Sequence, residues 1–277
     1  MSDLDWQPLA SVAALTKRAA LLRQIREFFH QRNVVEVQTP LVGKATVTDP
    51  DVDSIAVGSR FLQTSPEYFM KRLLAAGMPG CYQLASAFRE DEEGRNHNPE
   101  FTLLEWYRLD FDHHRLMQEV AELVDGVLGS AKVRTTTYAE LVGELDGPRD
   151  ELDLAFANAC DELEGRWFIT DYPADQAALA RLTSDGTAAR FEMVIDGVEI
   201  ANGYWELLDA ETHRQRFQRD NELRRQRGKP EQLVDEAFLA ALDAGLPSCA
   251  GVALGVDRLV MLALGADHLD EVLTFRQ

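Results

Sequence analysis

Apolar residues recur with a helical period near the start of the chain. Over residues 11–32 they lie three or four positions apart, which predicts an amphipathic helix. Its apolar face consists of Leu15, Leu22, Ile25 and Phe29. The run VVEVQTP at 34–40 predicts a strand that ends at Pro40, because proline cannot donate a hydrogen bond to a neighbouring strand. Short strands within a loop are expected over residues 45–60.

A second helix is expected to begin near Pro66, because proline is favoured in a first helical turn. Thr64 or Ser65 would cap this helix, and Gly77 would end it. Two antiparallel strands joined by a polar loop, followed by an amphipathic helix, are predicted over 82–89, 101–109 and 113–129.

The second half of the chain is less regular at first. Residues 131–186 show no dominant period and no chemical motif, so they are interpreted as a variable insertion. The elements predicted after them are strands over 190–207, helices over 209–227 and 233–244, and a strand and helix within GVALGVDRLVMLAL at 251–264. Hairpins separated by long helical segments predict an α+β fold, in which helices flank an antiparallel sheet. We expect one domain spanning residues 1–277.

Composition narrows the class of protein. Hydrophobic residues make up 45% of the 277 residues, which supports a sizeable core. No apolar run has the length of a membrane span, and the N-terminus has no secretory signal pattern. Cys81, Cys160 and Cys249 are too scattered for a disulfide framework or a CxxC zinc pair, so a reducing cytoplasm is expected.

The net charge of −19 disfavours a nucleic-acid-binding protein, which normally presents a basic face. The string RQRFQRDNELRRQRGK at 214–229 is locally basic, and it is interpreted as a solvated helix face.

The predicted hairpin carries the first candidate chemistry. Alternation along a strand places Phe101, Leu103, Glu105 and Tyr107 on one face. An aromatic ring on this face can stack on a base, and a carboxylate can bind a cation. Arg89 opens the connecting loop, and its guanidinium can bind two phosphate oxygens at once. His97 lies in the loop, in reach of outer phosphates; a surface hairpin with salt bridges is the alternative interpretation.

The segment GVALGVDR adds a second arginine. Its small residues allow a ligand to approach the backbone, and Arg258 would lie in the first turn of a helix whose N-terminus favours an anion. Ordinary strand–helix packing is the alternative.

Carboxylates make up the third group of candidates. Glu192 and Glu199 could hold Mg²⁺, since hard cations prefer carboxylate oxygens, although an edge strand with alternating acids explains them equally well. Asn202 and Glu206 have the same parity on one strand. Glu67 falls in a first helical turn, where an acid is favoured in any protein. The common phosphate-loop, dinucleotide, zinc-protease and nucleophile-elbow motifs are not found in the sequence.

In this order, the pieces resemble the catalytic core of class II aminoacyl-tRNA synthetases. The helix and strand ending at Pro40, FREDEEGRNHNPEF and GVALGVDR resemble the three class motifs. HNPEFTLLEWY, TSPEYFMKR and EIANGYWELLDA are similar to lysyl-tRNA synthetase, and more closely to truncated paralogues that attach (R)-β-lysine to a lysine of translation elongation factor P. The resemblance covers roughly residues 6–130 and 168–275.

This resemblance implies a role for each matching residue. Arg89 would contact the α-phosphate, Phe101 would stack on adenine, and Arg258 would bind the γ-phosphate, which makes the two arginines the catalytic pair. The full set of ATP-binding residues would be Arg89, Glu90, Asp91, His97, Asn98, Phe101, Glu199, Ile200, Gly255 and Arg258. The amino-acid pocket would consist of Ser65, Glu67, Glu105, Tyr107, Asn202 and Glu206, and the Mg²⁺ pair of Glu192 and Glu199. Ala253, a glycine in most lysyl-tRNA synthetases, would lie at the pocket wall.

Three functions are then open. The first is an ATP-dependent ligase that forms a lysyl-type adenylate and transfers the acyl group to a lysine of elongation factor P. The second is a free-standing enzyme that charges tRNA or a small acceptor, which the acidic charge and the lack of an anticodon-binding domain make the weaker expectation. The third is an inactive paralogue that only binds an amino acid, which the retained arginines and acids argue against. A homodimer built through the first motif is implied by the resemblance.

Overall fold

The computed structural model describes residues 6–90, 93–143 and 147–276. The helices are α1 (Val12–Gln31), α2 (Glu67–Ala75), α3 (His113–Leu128), α4 (Tyr138–Val142), α5 (Arg149–Asp161), α6 (Ala210–Gln226), α7 (Glu236–Gly245) and α8 (Val256–Leu264). Six of the helices begin and end close to where the sequence predicts them, and α4 and α5 lie in residues 131–186, where no helix bounds were predicted. None of the helices in the described ranges is long and apolar enough to cross a membrane.

The strands form one large sheet and one small sheet. They are β1 (Val35–Glu36), β2 (Val42–Gly43), β3 (Ala56–Val57), β4 (Arg60–Leu62), β5 (Gly80–Phe88), β6 (Glu100–Leu109), β7 (Val133–Thr137), β8 (Arg166–Tyr172), β9 (Ala188–Ile195), β10 (Val198–Trp205) and β11 (Cys249–Gly255). The large sheet has the order β1-β5-β6-β11-β10-β9-β8-β7, and β2-β4-β3 form the small sheet. Pairing is antiparallel except at the two edges of the large sheet, where β1 and β7 run parallel to their neighbours. The predicted α+β class is confirmed.

One face of the large sheet is the main hydrophobic core. Helices α1, α3 and α8 cover it, and fully buried Leu104 and Trp106 of β6 pack there against Phe29 and neighbouring apolar residues. The alternation predicted for this strand is therefore confirmed. The opposite face at the centre of the sheet carries Glu105 and Tyr107, and it is this face that holds the candidate site.

The predicted strand at 34–40 is wrong in its extent. Only Val35 and Glu36 form ladder pairs, with β5. Beyond them the Val37 N–H donates to the Tyr82 carbonyl at 2.8 Å, and the Thr39 N–H donates to the Gln83 side chain at 2.7 Å. The chain leaves the ladder because a side chain replaces the next backbone acceptor before Pro40 is reached.

Residues 131–143 and 147–186 contain more regular secondary structure than their sequence pattern indicates. They supply β7 and β8 to the large sheet, and α4 and α5 pack over them. Tyr138, Phe156 and Tyr172 form an aromatic cluster beneath these helices. The parallel edge strand β7, VRTTT, alternates too weakly to be recognised from its polar residues.

The segment before α2 contains a loop that hydrogen bonds from α6 hold in place. Its residues 49–53, here called the acidic loop, are held by the buried Arg224 of α6. The Arg224 guanidinium donates to the carbonyls of Asp49 (2.8 Å) and Val52 (3.1 Å) and to Asp53 Oδ1 (3.0 Å). The Glu90 N–H then donates to the Asp53 carbonyl at 2.8 Å, which joins the acidic loop to the start of the β5–β6 loop.

Candidate active site

The candidate site is laid out by the register of four neighbouring strands. Glu105, Ala253, Asn202 and Glu192 pair in one row across β6, β11, β10 and β9. A parallel row two residues away contains Tyr107, Gly251, Tyr204 and Arg190. Partners in a row share a face. The central strand β11 presents only small residues on this face, namely Cys249, Gly251, Ala253 and Gly255. The surface that they form between the side chains of β6 and those of β10 is here called the groove.

Five of the six residues predicted for the amino-acid pocket lie together at one end of this groove, and the sixth, Asn202, lies beside Glu192. The Ser65 hydroxyl donates to Glu105 Oε2 at 2.7 Å, and the Tyr107 hydroxyl donates to Glu105 Oε1 at 2.7 Å. Ser65 also accepts the Glu67 N–H at 3.0 Å. The N-cap of α2 is Pro66, which makes no side-chain capping bond, so the predicted cap at Thr64 or Ser65 is wrong by one or two residues. Glu206 follows β10 and is completely buried. Ser65, Glu67, Glu105, Tyr107 and Glu206 thus form one cluster.

The sequence interpretation missed a residue in this cluster, Lys71. Its ammonium lies 2.5 Å from Glu67 Oε1 and 2.6 Å from Glu206 Oε2, and its side chain is fully buried. The spacing of Glu67 and Lys71, four residues apart on α2, was a signal that could have placed them together.

Two of the buried carboxylates, Glu105 and Glu206, hold a proton more tightly than an exposed glutamate does. Burial, helped by the charge of Glu67, raises the pKa of Glu105 to about 7, against the hydroxyls that stabilise its ionised form. Burial also raises the pKa of Glu206 to about 8, while Lys71 opposes the rise. Buried carboxylates of this kind ionise more readily when a cation lies beside them, so the pocket suits a substrate with ammonium groups.

Arg258 lies at the other end of the groove, in the first turn of α8. Its guanidinium donates to the Glu199 carbonyl at 2.8 Å, to His97 Nε2 at 2.6 Å and to the Asn96 carbonyl at 3.1 Å. The start of α8 is fixed by Asp257, which accepts the Thr102 N–H at 2.7 Å. Arg258 therefore links the β5–β6 loop and β10 to the N-terminus of α8 through hydrogen bonds.

Arg89 and Phe101 lie side by side where β5 and β6 leave the sheet. The Arg89 guanidinium is 5.2 Å from the centre of the Phe101 ring. The backbone N–H of Arg89 donates to the Pro99 carbonyl at 2.9 Å. In the register, Leu103 pairs with Gly255, which immediately precedes α8. The Arg89–Phe101 pair and Arg258 thus meet at one end of the sheet, while Asp91 lies outside the described residues.

Two predicted ATP-binding residues, Asn98 and Ile200, have side chains that face the protein interior. The Asn98 amide donates to the Glu100 carbonyl at 2.6 Å and accepts from Arg276 Nε at 3.0 Å. Arg276, which the sequence interpretation did not select, also donates to the Gly94 carbonyl at 2.7 Å. The Ile200 side chain is buried in the core, so only its backbone can face a ligand beside Gly255.

A β-bulge brings the predicted metal-binding pair together. The register shifts between Glu199 and Ala201, so Glu199 pairs with Val194 while Ala201 pairs with Met193. The extra residue puts Glu199 on the face of Glu192, which strict alternation would not. Arg190 donates to Glu192 Oε1 at 2.5 Å, and Asn202 donates to the same oxygen at 3.4 Å. Burial and the nearby Glu199 raise the pKa of Glu192 to about 7.

Fold and groove together define a class II aminoacyl-tRNA synthetase catalytic domain. The sequence matches the class II tRNA synthetase family (D, K and N) over residues 4–277, and the chain belongs to that family. It is 44% identical over 319 aligned positions to the elongation factor P (R)-β-lysine ligase of Vibrio cholerae, covering 99% of this chain and 98% of the relative. The proteins of the same name from Proteus mirabilis and Edwardsiella ictaluri are 43% and 44% identical over 320 positions, with the same coverage.

Proposed function

We propose that this chain is an ATP-dependent ligase that activates (R)-β-lysine or lysine as an adenylate and transfers the acyl group to a lysine of elongation factor P. The names of the relatives support the acceptor and the amino acid. The observation that carries the proposal is the polarity of the groove. Glu67, Glu105 and Glu206 cluster at one end, and Arg89 and Arg258 lie at the other.

The groove orients a diamino acid by charge. Ammonium groups are drawn to the buried carboxylates, so the substrate carboxylate points along the small residues of β11 toward the arginines. Its oxygen attacks the α-phosphorus of ATP, the bond to the β-phosphate oxygen breaks, and pyrophosphate leaves. Arg89 stabilises the charge that develops on the α-phosphoryl oxygens, and Arg258 binds the departing phosphates. Phe101 stacks on the adenine ring.

The second step needs no nucleophile from the enzyme. The neutral ε-amine of the acceptor lysine attacks the carbonyl carbon of the mixed anhydride, the bond to the AMP oxygen breaks, and the amine loses a proton as the amide forms. The described thiols at Cys81, Cys160 and Cys249 are buried, and burial raises the pKa of each. They are therefore poor nucleophiles, which is consistent with direct transfer.

Magnesium fits the residues around the bulge. Glu192 and Glu199 supply hard oxygen donors on one face, and the buried Asn202 Oδ1 has no hydrogen-bond partner among the described residues. No group of three or more His, Cys, Asp or Glu side chains in the described ranges forms a metal cluster. This suits Mg²⁺, which is bound through one or two carboxylates together with substrate phosphates. When bound, the ion would neutralise phosphate charge; Arg190 would hold Glu192 in place.

The contacts made by the arginines of the basic helix α6 favour a protein acceptor over tRNA. Three of these arginines contact other groups of the chain, although Arg225 does so at the surface. Arg224 binds the acidic loop, Arg216 donates to the carbonyl of Ala180 at 2.8 Å, and Arg225 pairs with Glu231 at 2.8 Å. The interpretation of this segment as a purely solvated face is wrong for Arg224, which is buried.

We also propose that the chain forms a two-fold dimer through α1 and β1, as the resemblance implies. Val12 and Val35, which lie at opposite ends of this segment, are exposed apolar residues. Light scattering of the purified protein tests this proposal, and a monomer at all concentrations contradicts it.

The first test of function is ATP–pyrophosphate exchange with lysine and with (R)-β-lysine, followed by mass spectrometry of elongation factor P incubated with enzyme, ATP and each isomer. We expect exchange with at least one isomer and the corresponding mass increase on elongation factor P. Exchange without a mass increase, together with acylated tRNA, would instead support a tRNA acceptor. If neither isomer supports exchange, the proposal fails.

A further inference from the structure

Lys71 takes no part in the chemical steps described above, yet it lies within the amino-acid pocket. It is 1% exposed, and its ammonium contacts only groups inside the protein. A buried ammonium is costly unless it is paired and hydrogen-bonded. Here both of its carboxylate partners, Glu67 and Glu206, belong to the pocket itself, so the residue bears directly on how the pocket binds substrate.

Charge balance shows what Lys71 contributes. With all three acids ionised, Glu67, Glu105 and Glu206 carry three negative charges, and Lys71 reduces the net charge of the cluster to minus two. Lysine and β-lysine each bring two ammonium groups. Without Lys71, three carboxylates would face one another in a space that solvent does not reach, and one of them would take up a proton.

We propose that Lys71 is a positioning residue that sets the pocket charge to match two ammonium groups and holds Glu67 and Glu206 in a fixed orientation. This inference rests on the proposed function, since it assumes that the cluster binds a diamino acid. It assigns Lys71 no contact with the reacting atoms.

The other groups around Lys71 and Glu206 do not supply the same charge. They are Glu105, Tyr107, His213, Cys249, Arg181 and, on α2 itself, Tyr68. Burial and the charge of Lys71 lower the pKa of His213 to about 3, so its ring is neutral. Burial raises the pKa of the Tyr107 hydroxyl and of the Cys249 thiol, so both are also neutral. Arg181 stacks on the Trp205 ring and donates to the Glu206 carbonyl, not to its carboxylate.

The geometry has a consequence for pH dependence. The pKa of Glu206 is about 8 despite the opposing effect of Lys71, and it is higher than the value of about 7 for Glu105. Loss of the Lys71 charge would raise that pKa further. Substrate binding, which needs the ionised form, would then strengthen only at a higher pH than in the wild type.

The experiment compares Lys71→Met with Lys71→Arg across the range from about pH 6 to pH 9.5. The exposed Lys132→Met serves as the control for loss of a lysine charge. For Lys71→Met we expect the acid limb of kcat/KM in pyrophosphate exchange to move up by about one unit, which corresponds to a roughly tenfold loss at neutral pH. Lys71→Arg should keep most of the wild-type profile. An equal loss at every pH, or an unmoved limb, would overturn the proposal.

A second comparison allows for poor folding of Lys71→Met. Glu206→Gln alone leaves the cluster with a net charge of minus one, and Lys71→Met added to it restores minus two. We expect the double variant to have a lower KM for the diamino acid than Glu206→Gln. A purely structural lysine would make the double variant worse, and that result would refute the charge argument.

Melting curves without substrate separate this inference from the proposed function. A carboxyl whose pKa is higher in the folded protein than in the unfolded chain costs stability as pH rises from about 4.5 toward the folded value. Between about pH 6 and pH 9, Lys71→Met should therefore lose more melting temperature than Lys71→Arg. Parallel curves would overturn the inference even if the wild type is active. If the wild type shows no exchange, the proposed function fails while this test remains valid.

Discussion

Replacing Glu105 by glutamine should weaken substrate binding while leaving the free protein at least as stable at alkaline pH. The side chain keeps its size, and its amide can still bond the hydroxyls of Ser65 and Tyr107, each 2.7 Å from the carboxylate. What is lost is the negative charge. A hydrogen bond to a charged group contributes about 1.5–3 kcal/mol, so KM for the diamino acid should rise about 10- to 150-fold.

The stability change has the opposite sign. Burial raises the pKa of Glu105 from 4.5 to about 7, so ionising it in the folded protein costs about 3 kcal/mol above pH 7. That cost is absent below pH 4.5 and grows between these values; glutamine avoids it. The melting temperature of Glu105→Gln relative to the wild type should therefore increase from pH 5 to pH 8, by about 2–4 °C for each kcal/mol.

Two assays and one control check this reasoning. Differential scanning fluorimetry without ligand gives the stability trend, and pyrophosphate exchange gives KM. Glu100→Gln removes an exposed carboxylate from the same strand and should change neither quantity measurably. If Glu105→Gln is destabilised equally at pH 5 and pH 8, or if its KM is unchanged, Glu105 is not a desolvated anion that binds substrate.

Three further outcomes are expected. Arg258→Ala should lower kcat/KM in pyrophosphate exchange by about 100-fold or more, since it removes a phosphate-binding charge, and cellular function that survives this change would contradict the assignment. Gly251→Ala should lower the melting temperature, because the added Cβ would come within 2.6 Å of Glu206 Oε1 and even closer to the Tyr107 ring. Overpacking of this kind costs about 1–3 kcal/mol. An unchanged melting temperature would show that the side chains around Gly251 are not tightly packed. Arg224→Leu should destabilise the protein by about 3–5 kcal/mol in chemical denaturation, because Asp53 and the carbonyls of the acidic loop lose a buried partner, whereas the exposed Arg225→Leu should have little effect.

Local pattern was enough to predict the elements that carry the site. The alternation along β6 placed Glu105 and Tyr107 on the face opposite Trp106, and small residues in GVALG predicted a close-approach strand before α8. These signals are local, because both the period of a strand and the position of a helix start depend on near neighbours in sequence.

Contacts between distant segments were not readable in the same way. Glu199 reaches the face of Glu192 only because one residue bulges out of β10, and nothing in VEIANGYW marks that position. Lys71 was not selected from the sequence, since its second partner, Glu206, is 135 positions away. Both features arise from tertiary packing, which composition and period do not encode.

Under the proposed function, charge in the groove orients the substrate, and steric contact with the groove determines which isomer is bound. Both lysine and β-lysine carry two ammonium groups and one carboxylate, so the acidic end and the arginine end would align either isomer in the same direction. The two isomers differ in which carbon atom of the substrate carries the second amine. The substrate carboxylate therefore lies at a different position above β11 in each isomer. In that strand, Ala253 is the residue that faces the groove between Glu105 and Asn202 in the register. Under the proposed function, we therefore expect charge at the ends of the groove to select the diamino acid and the methyl group of Ala253 to affect which isomer is bound.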